Sequence, residues 1–308
     1  MTRAKYAIER FEQAVDLLPL RLQRSARQMS DWKKEQAEEL RLRVGQPMTV
    51  LLPEGEQFST EELPRITVGR GDLEQLCDAV TGYSRYAAKE TISRGYITAD
   101  GGFRIGICGT AVMRGEQNIN LKDISSVVIR IGRERRGVAD PVLQQVMEKG
   151  VFPGTLILSP PGLGKTTLLR DLIRLLSDGA EERPAFRVAL VDERSEIALM
   201  HQGKAQMDVG CHTDVLDGCP KALAIPMMLR AMNPQIIAVD EISLQEDIRS
   251  VEMAANCGVA LLATVHGSSK EELQRKPLFS SMLATGAFQK CVTISGCEGK
   301  RDYIVEEL

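Results

Sequence analysis

A chain of 308 residues is long enough to bury more than one hydrophobic core, and its length predicts about two domains. A hydrophobic share of 43% with 26% charged residues excludes a disordered chain. Lysine plus arginine number 39 against 42 acids, so the chain as a whole carries no nucleic-acid signal.

In chain order, residues 6–22 place Ile8, Phe11, Val15, Leu18 and Leu22 at helical spacing, interrupted by Pro19, which predicts one or two short amphipathic helices. Alternation in 40–44 and 48–52 about Gly45-Gln46-Pro47 predicts a hairpin. Residues 72–88 read as helix. Tyr96-Ile97-Thr98 and Phe103-Arg104-Ile105 flank Ala99-Asp100-Gly101-Gly102, a second hairpin, and 127–131 form a last strand. This first part is an α+β domain, predicted over 1–137.

The second part, 138–308, changes to apolar strands at 155–158, 188–191, 236–239 and 261–264, alternating with helices at 168–176, 220–231 and 244–256. That rhythm predicts an α/β domain with a parallel sheet, whose ligand binds at the carboxyl ends of the strands. Residues 1–136 hold 22 bases and 19 acids, the remainder 17 and 23. The basic surplus gathers at Arg130, Arg133, Arg135 and Arg136. The seven cysteines are an odd number without C-x-x-C spacing, which predicts reduced thiols and no zinc site. Cys77, Cys108, Cys257, Cys291 and Cys297 sit in apolar contexts and read as core thiols. Arg3, Lys5, Glu9 and Arg10 break any signal peptide, and the apolar run 254–265 is too short to span a bilayer, so a cytoplasmic protein is expected.

The chemistry concentrates in the second part. Ser159-Pro160-Pro161-Gly162-Leu163-Gly164-Lys165-Thr166-Thr167 joins an apolar strand to a helix, the setting of a phosphate-binding P-loop. Backbone N–H groups and the helix N-terminus converge there on the phosphates of ATP. Lys165 would reach the β- and γ-phosphates, and Thr166 would place its hydroxyl on Mg²⁺. The first glycine of the motif is replaced by Ser159. Val239-Asp240-Glu241 ends another strand in the Walker-B pattern, with Asp240 for Mg²⁺ and Glu241 for the attacking water. Val191-Asp192-Glu193 repeats that logic, so either Glu193 or Glu241 could be the base. Thr264 and His266 project to one face of a strand end, where the imidazole could sense the γ-phosphate. The 207–219 loop contains Cys211, His212, Asp214 and Cys219, but its spacing lacks the usual metal pattern and favours a ring-lining or substrate-facing loop.

These motifs together resemble the secretion-ATPase superfamily of type II and type IV secretion and pilus motors. Asp192-Glu193 matches its Asp box, Asp240-Glu241 its Walker B and Thr264-Val265-His266 its His box. The wording of residues 93–98, 102–111 and 191–198 resembles still more closely the stage III sporulation protein AA family, over nearly the whole chain. Secretion motors usually carry glycine before the Walker-B glutamate, where this chain has Asp240. The resemblance implies a RecA-like ATPase domain and a homo-hexameric ring with nucleotide between the domains. It implies a peripheral location on the mother-cell face of a membrane channel, against a polytopic inner-membrane partner, with membrane contact indirect and no nucleic acid. It also implies that arginines of the N-terminal domain complete the site, for which Arg104 and Arg130 are the candidates. A nucleic-acid-dependent P-loop motor using the 130–136 cluster and a nucleotide-gated scaffold are the competing readings. A single tryptophan leaves the first few stacking platforms.

Overall fold

The computed structural model describes residues 3–60, 65–82, 92–93, 95–132, 134–181, 183–297 and 300–308. The chain divides into two compact units.

The first unit opens with three helices, α1 (Arg3–Asp16), α2 (Leu20–Arg27) and α3 (Asp31–Gln36). Pro19 caps α2, so the predicted helical segment is divided at the proline, whose ring fits a helix start but not its interior. Ser30 caps α3 by accepting the N–H of Lys33. Strands β1 (Glu39–Arg43), β2 (Thr49–Leu52) and β3 (Gly55–Phe58) follow, then α4 (Arg70–Val80). Helix α4 thus stops short of the 72–88 expected, with Thr81 as its C-cap and Gly82 at φ +57°; from 83 onward that expectation lies outside the described residues. Strands β4 (Tyr96–Ala99), β5 (Phe103–Arg114) and β6 (Gln117–Arg130) complete a six-stranded antiparallel sheet in the order β3-β2-β1-β6-β5-β4.

The strands alternate over the part of the sheet that packs on the helices. Leu40, Leu42, Val50, Leu52, Ile97, Ile105, Val127 and Ile129 face the helices, where Phe11, Val15, Leu22, Leu73 and Leu76 meet them in one core. The opposite residues, among them Arg41, Arg43, Arg104 and Arg130, form the polar face. Cys108 lies exposed beyond that core, at the bulge between Cys108 and Thr110, so it is not the core thiol its neighbours suggested.

The second unit begins with α5 (Asp140–Val146) and continues through β7 (Thr155–Ser159), α6 (Lys165–Asp178), β8 (Val188–Asp192), β9 (Thr213–Asp217), α7 (Lys221–Met232), β10 (Ile236–Glu241), α8 (Gln245–Asn256) and β11 (Ala260–His266). Two short helices, α9 (Lys270–Arg275) and α10 (Pro277–Ala284), lead to a hairpin of β12 (Lys290–Cys297) and β13 (Lys300–Glu307). The sheet order is β13-β12-β7-β11-β10-β8-β9. Every pairing is parallel except β12 with β13. Strands β7 and β8 are buried throughout, as a sheet covered on both faces requires. Cys291 is in the core, whereas Cys257 is exposed at the C-cap of α8, contrary to the reading from its apolar neighbours.

The unit boundary departs from a single cut at 137. It falls between Arg133 and Glu134, and residues Leu199–Gln206 belong to the first unit although they lie between β8 and β9 in sequence. Two sets of hydrogen bonds define that small excursion. His201 and Lys204 exchange backbone hydrogen bonds, and the Gln206 side-chain oxygen accepts the N–H of Gly101 at 2.7 Å. No contiguous division could express this arrangement.

Candidate functional site

Three neighbouring strands, β7, β11 and β10, end side by side, and the functional side chains leave from these ends. His266 stands opposite Ser159 in the parallel ladder, one strand from the P-loop. Between β10 and β11 the register slips at Asp240, which is the extra residue of a bulge. A bulge re-aims the side chain it carries, and this one puts both Asp240 and Glu241 on the wall of one cavity. That cavity, of about 340 Å³, is also lined by Gly162, Gly164, Lys165, Thr166, Thr167, Thr264 and His266.

The loop geometry explains its glycines. Gly162 has φ +81° and Gly164 φ +93°, the left-handed region that a side chain strains. Ser159 is not among the positive-φ residues; it is the fully buried last residue of β7, and its hydroxyl donates to the carbonyl of Pro160 at 2.7 Å. A glycine is therefore not required at 159. The loop feeds directly into α6, a helix of 14 residues whose first turn, Lys165-Thr166-Thr167, presents its unpaired N–H groups to the cavity.

The charged groups form two connected sets. In the first, the Lys165 ammonium donates to the carbonyls of Ser159 at 2.8 Å and Pro160 at 3.2 Å, and stands 2.8 Å from His266 Nδ1. An ammonium has only donors, so Nδ1 accepts and the ring proton resides on Nε2. Nε2 then donates to Glu241 Oε2 at 2.9 Å, which also accepts from Arg194 at 3.2 Å. Burial pulls the Lys165 ammonium below the ordinary lysine range, opposed by the charge of Glu241.

The second set centres on Lys221, the first residue of α7, whose side chain is only 4% exposed. Its ammonium lies 2.7 Å from Asp240 Oδ1 and pairs with Glu193 Oε2. Burial works against that ammonium, but the charges of Asp240 and Glu193 prevail and its pKa is raised. Asp240 is pushed up to about 6 by burial, against the pull of Lys221. Both of its carboxylate oxygens are buried without a hydrogen-bond partner of good geometry. That carboxylate, ion-paired with Lys221 but without a well-aligned hydrogen bond, and the Thr166 hydroxyl on the same cavity wall are a hard oxygen donor set that fits Mg²⁺.

Asp192 has a different task from the one its place at a strand end suggests. It is fully buried and accepts the backbone N–H groups of Glu196 at 2.9 Å, Ile197 at 3.0 Å and Ala198 at 2.9 Å. Burial raises its pKa while these three donors oppose the rise. The carboxylate thus shapes the turn after β8, and neither it nor Glu193 lines the cavity. Within the first unit, Arg104 and Arg130 are direct cross-strand partners. Arg104 stacks on Tyr96 at 4.2 Å and Arg130 lies 3.4 Å from Glu39. Of the basic cluster after β6, Arg133 lies outside the described residues, and Arg136 pairs with Asp208 at 2.9 Å.

Sequence reasoning missed Lys221, β9 and the terminal hairpin. The 207–219 loop is partly β9; Cys211 and His212 pack on the C-terminal end of α6, where His212 N–H donates to the Ser177 hydroxyl at 2.7 Å. Among the described residues no group of three or more His, Cys, Asp or Glu could hold a metal ion, and no helix is long and apolar enough to cross a membrane.

Comparison with known proteins gives this geometry its context. The family model described as sporulation stage III, protein AA matches residues 8–305. The stage III sporulation protein AA of Bacillus subtilis (strain 168) is 33% identical over 284 residues, covering 92% of this chain and 91% of the relative. Among solved structures, the pilus retraction motor PilT with bound ADP superposes with a TM-score of 0.60 at 18% identity, covering 88% of this chain and 79% of that one. The Legionella pneumophila ATPase DotB gives 0.57 at 16% identity, covering 88% and 76%. At these identities the likeness establishes the fold, a RecA-like parallel sheet preceded by a smaller α+β part.

Proposed function

Because the chain belongs to the sporulation stage III protein AA family, we propose that it is a Mg²⁺-dependent ATPase that converts hydrolysis into motion of its two units at a secretion-type membrane assembly. The observation that carries this reading is the single cavity where Lys165, Thr166, Asp240, Glu241 and His266 meet at adjacent strand ends.

The P-loop amides and the first turn of α6 bind the phosphates of ATP. Lys165, which nothing but carbonyls, His266 and the Glu241 charge now hold, swings from Ser159 and Pro160 to the phosphate charge. That movement releases His266 Nδ1, which on taking up a proton can donate to a γ-phosphate oxygen. Thr166 and Asp240 are the residues that hold Mg²⁺, which when bound neutralises charge on the β- and γ-phosphates. Glu241, on the cavity wall, orients the attacking water and accepts its proton as the water's oxygen bonds to phosphorus and the ADP oxygen leaves. Glu193 shares the Lys221 ammonium with Asp240.

Assembly follows the family: a homo-hexamer, peripheral on the cytoplasmic, mother-cell face of a membrane, working on a polytopic inner-membrane partner. Arg104 and Arg130 are the residues we assign to completing the nucleotide site, since both stand on the polar face of the first sheet, in one cross-strand row. The test is Lys165→Ala in the full chain. It should lose ATP turnover and nucleotide binding while keeping the wild-type circular dichroism spectrum. Turnover equal to wild type in that variant would refute the assignment.

A further inference from the structure

The phosphate loop has a second cation above it that no motif announces. If Gly164 carried a Cβ, that atom would lie 2.8 Å from one terminal nitrogen of Arg301, 3.0 Å from its Cζ and 3.4 Å from the other nitrogen. The guanidinium of Arg301 is therefore laid flat against the last glycine of the P-loop. The glycine is needed there twice over, for its φ of +93° and for the room its missing side chain leaves.

The topology explains how an arginine near the C-terminus arrives at this point. Strand β12 runs parallel to β7 with Thr293 opposite Leu158, so the residues after Ile294 continue past the end of β7 at the level of the loop. Strand β13 returns antiparallel, with Arg301 opposite Gly296. Strand β13 lies two strands from β7, and from there the Arg301 side chain reaches the loop; its cross-strand neighbour, Gly296, carries no side chain. The added antiparallel hairpin thus delivers one side chain to the phosphate end of a parallel sheet.

Among the described residues the Arg301 side chain has no hydrogen bond and no carboxylate within ion-pair distance, whereas the arginines around the cavity are engaged: Arg194 with Glu241, and Arg170 with the carbonyls of Ile197 and Glu196. A guanidinium that rests on a loop of anion-seeking amides, without an anion of its own, is matched to a phosphate oxygen. It lies across Gly164, in the loop whose backbone N–H groups cradle the phosphates kept in ADP, and the contact assigned to it is with those phosphates.

We propose that Arg301 is a diphosphate-binding residue of the nucleotide site, supplied by the same chain whose P-loop it covers. This rests on the reading of the P-loop cavity as a nucleotide site. The experiment is titration of the full-length protein with fluorescent mant-ADP and mant-ATP, followed by displacement with inorganic pyrophosphate, for wild type, Arg301→Gln and Arg301→Lys. Arg301→Gln keeps the length of the side chain and removes its charge; Arg301→Lys keeps the charge and loses the fork. Loss of one charge-assisted contact should weaken mant-ADP and mant-ATP by the same factor, about tenfold, and pyrophosphate by that factor as well, with Arg301→Lys in between. Wild-type affinity in Arg301→Gln would overturn the proposal, and so would weakened mant-ADP binding with unchanged displacement by pyrophosphate, which would place the contact on the base. A wild-type protein that binds no mant-nucleotide would instead overturn the nucleotide reading itself.

Discussion

Lys221→Met should convert Asp240 from a carboxylate into a carboxylic acid at neutral pH. The side chains of Lys221 and Asp240 are 4% and 12% exposed, and the ammonium is the cation nearest Asp240 at 2.7 Å. With Lys221 present, Asp240 titrates at about 6 rather than 3.8, so holding it ionised costs about 3 kcal/mol at pH 7. Without the ammonium the carboxyl escapes by taking up a proton. Breaking a buried ion pair by removing one partner costs about 3–5 kcal/mol, and the uptake of a proton by Asp240 brings the expected loss of stability below that range.

The sign of the pH dependence separates this from ordinary destabilisation. A carboxyl with a raised folded pKa binds a proton in the folded state that the unfolded chain does not bind. Stability therefore falls as pH rises up to the folded pKa and levels off above it. In the wild type this fall ends near pH 6. In Lys221→Met the folded pKa of Asp240 rises further, so the fall extends to higher pH than in the wild type. Urea unfolding in EDTA at pH 6 and pH 7, followed by far-UV circular dichroism, measures it. The single tryptophan, Trp32, belongs to the first unit and would report on the wrong part of the molecule. Equal pH dependence in variant and wild type would refute the account of Lys221 as the group that keeps Asp240 charged.

Glu241→Gln should reduce ATP turnover at least about a hundredfold while mant-ADP still binds, because Glu241 lines the cavity; Glu193→Gln, which retains a hydrogen-bonding partner for Lys221, should lose less than about tenfold. Steady-state phosphate release on both variants decides between the two glutamates, and the reverse ranking would exclude Glu241 as the base. Asp192→Ala should strand two buried N–H groups and one half-buried one and destabilise the second unit by about 3 kcal/mol or more, read as a lower urea midpoint. A midpoint within error of wild type would show that the turn does not depend on the carboxylate.

Much of the site is legible because its parts are contiguous. The loop 159–167, the pair Asp240-Glu241 and the triplet Thr264-Val265-His266 each read as a strand followed by its functional end, and the parallel sheet does the rest by aligning those ends. Asp192 shows where such reading reaches its limit. An acid at the end of an apolar strand looks the same whether it faces a metal or three backbone amides. Lys221 became visible only in three dimensions, since it acts on residues from two other strands. One local sign was available: a lysine in the first turn of a helix opposes the helix dipole, and a local rule broken without local benefit points to a partner elsewhere. Arg301 depends on the register of a terminal hairpin, whose only local signs are the short apolar runs Cys291-Val292-Thr293-Ile294 and Tyr303-Ile304-Val305. The exposed Cys108 and Cys257 are further cases in which composition of the neighbourhood stood in for position.

The excursion Leu199–Gln206 gives the molecule a linkage that a string of two beads would lack. The backbone passes between the units three times, after Arg133, after Ala198 and after Gln206. The second passage begins one peptide bond beyond Ala198, whose N–H is fastened to Asp192 at the end of β8. A tug on either unit therefore reaches the other along covalent bonds at more than one place, like a seam stitched rather than pinned. For anyone dividing the gene, a cut after residue 133 would leave the first fragment without eight of its own residues and the second carrying a loop that belongs elsewhere.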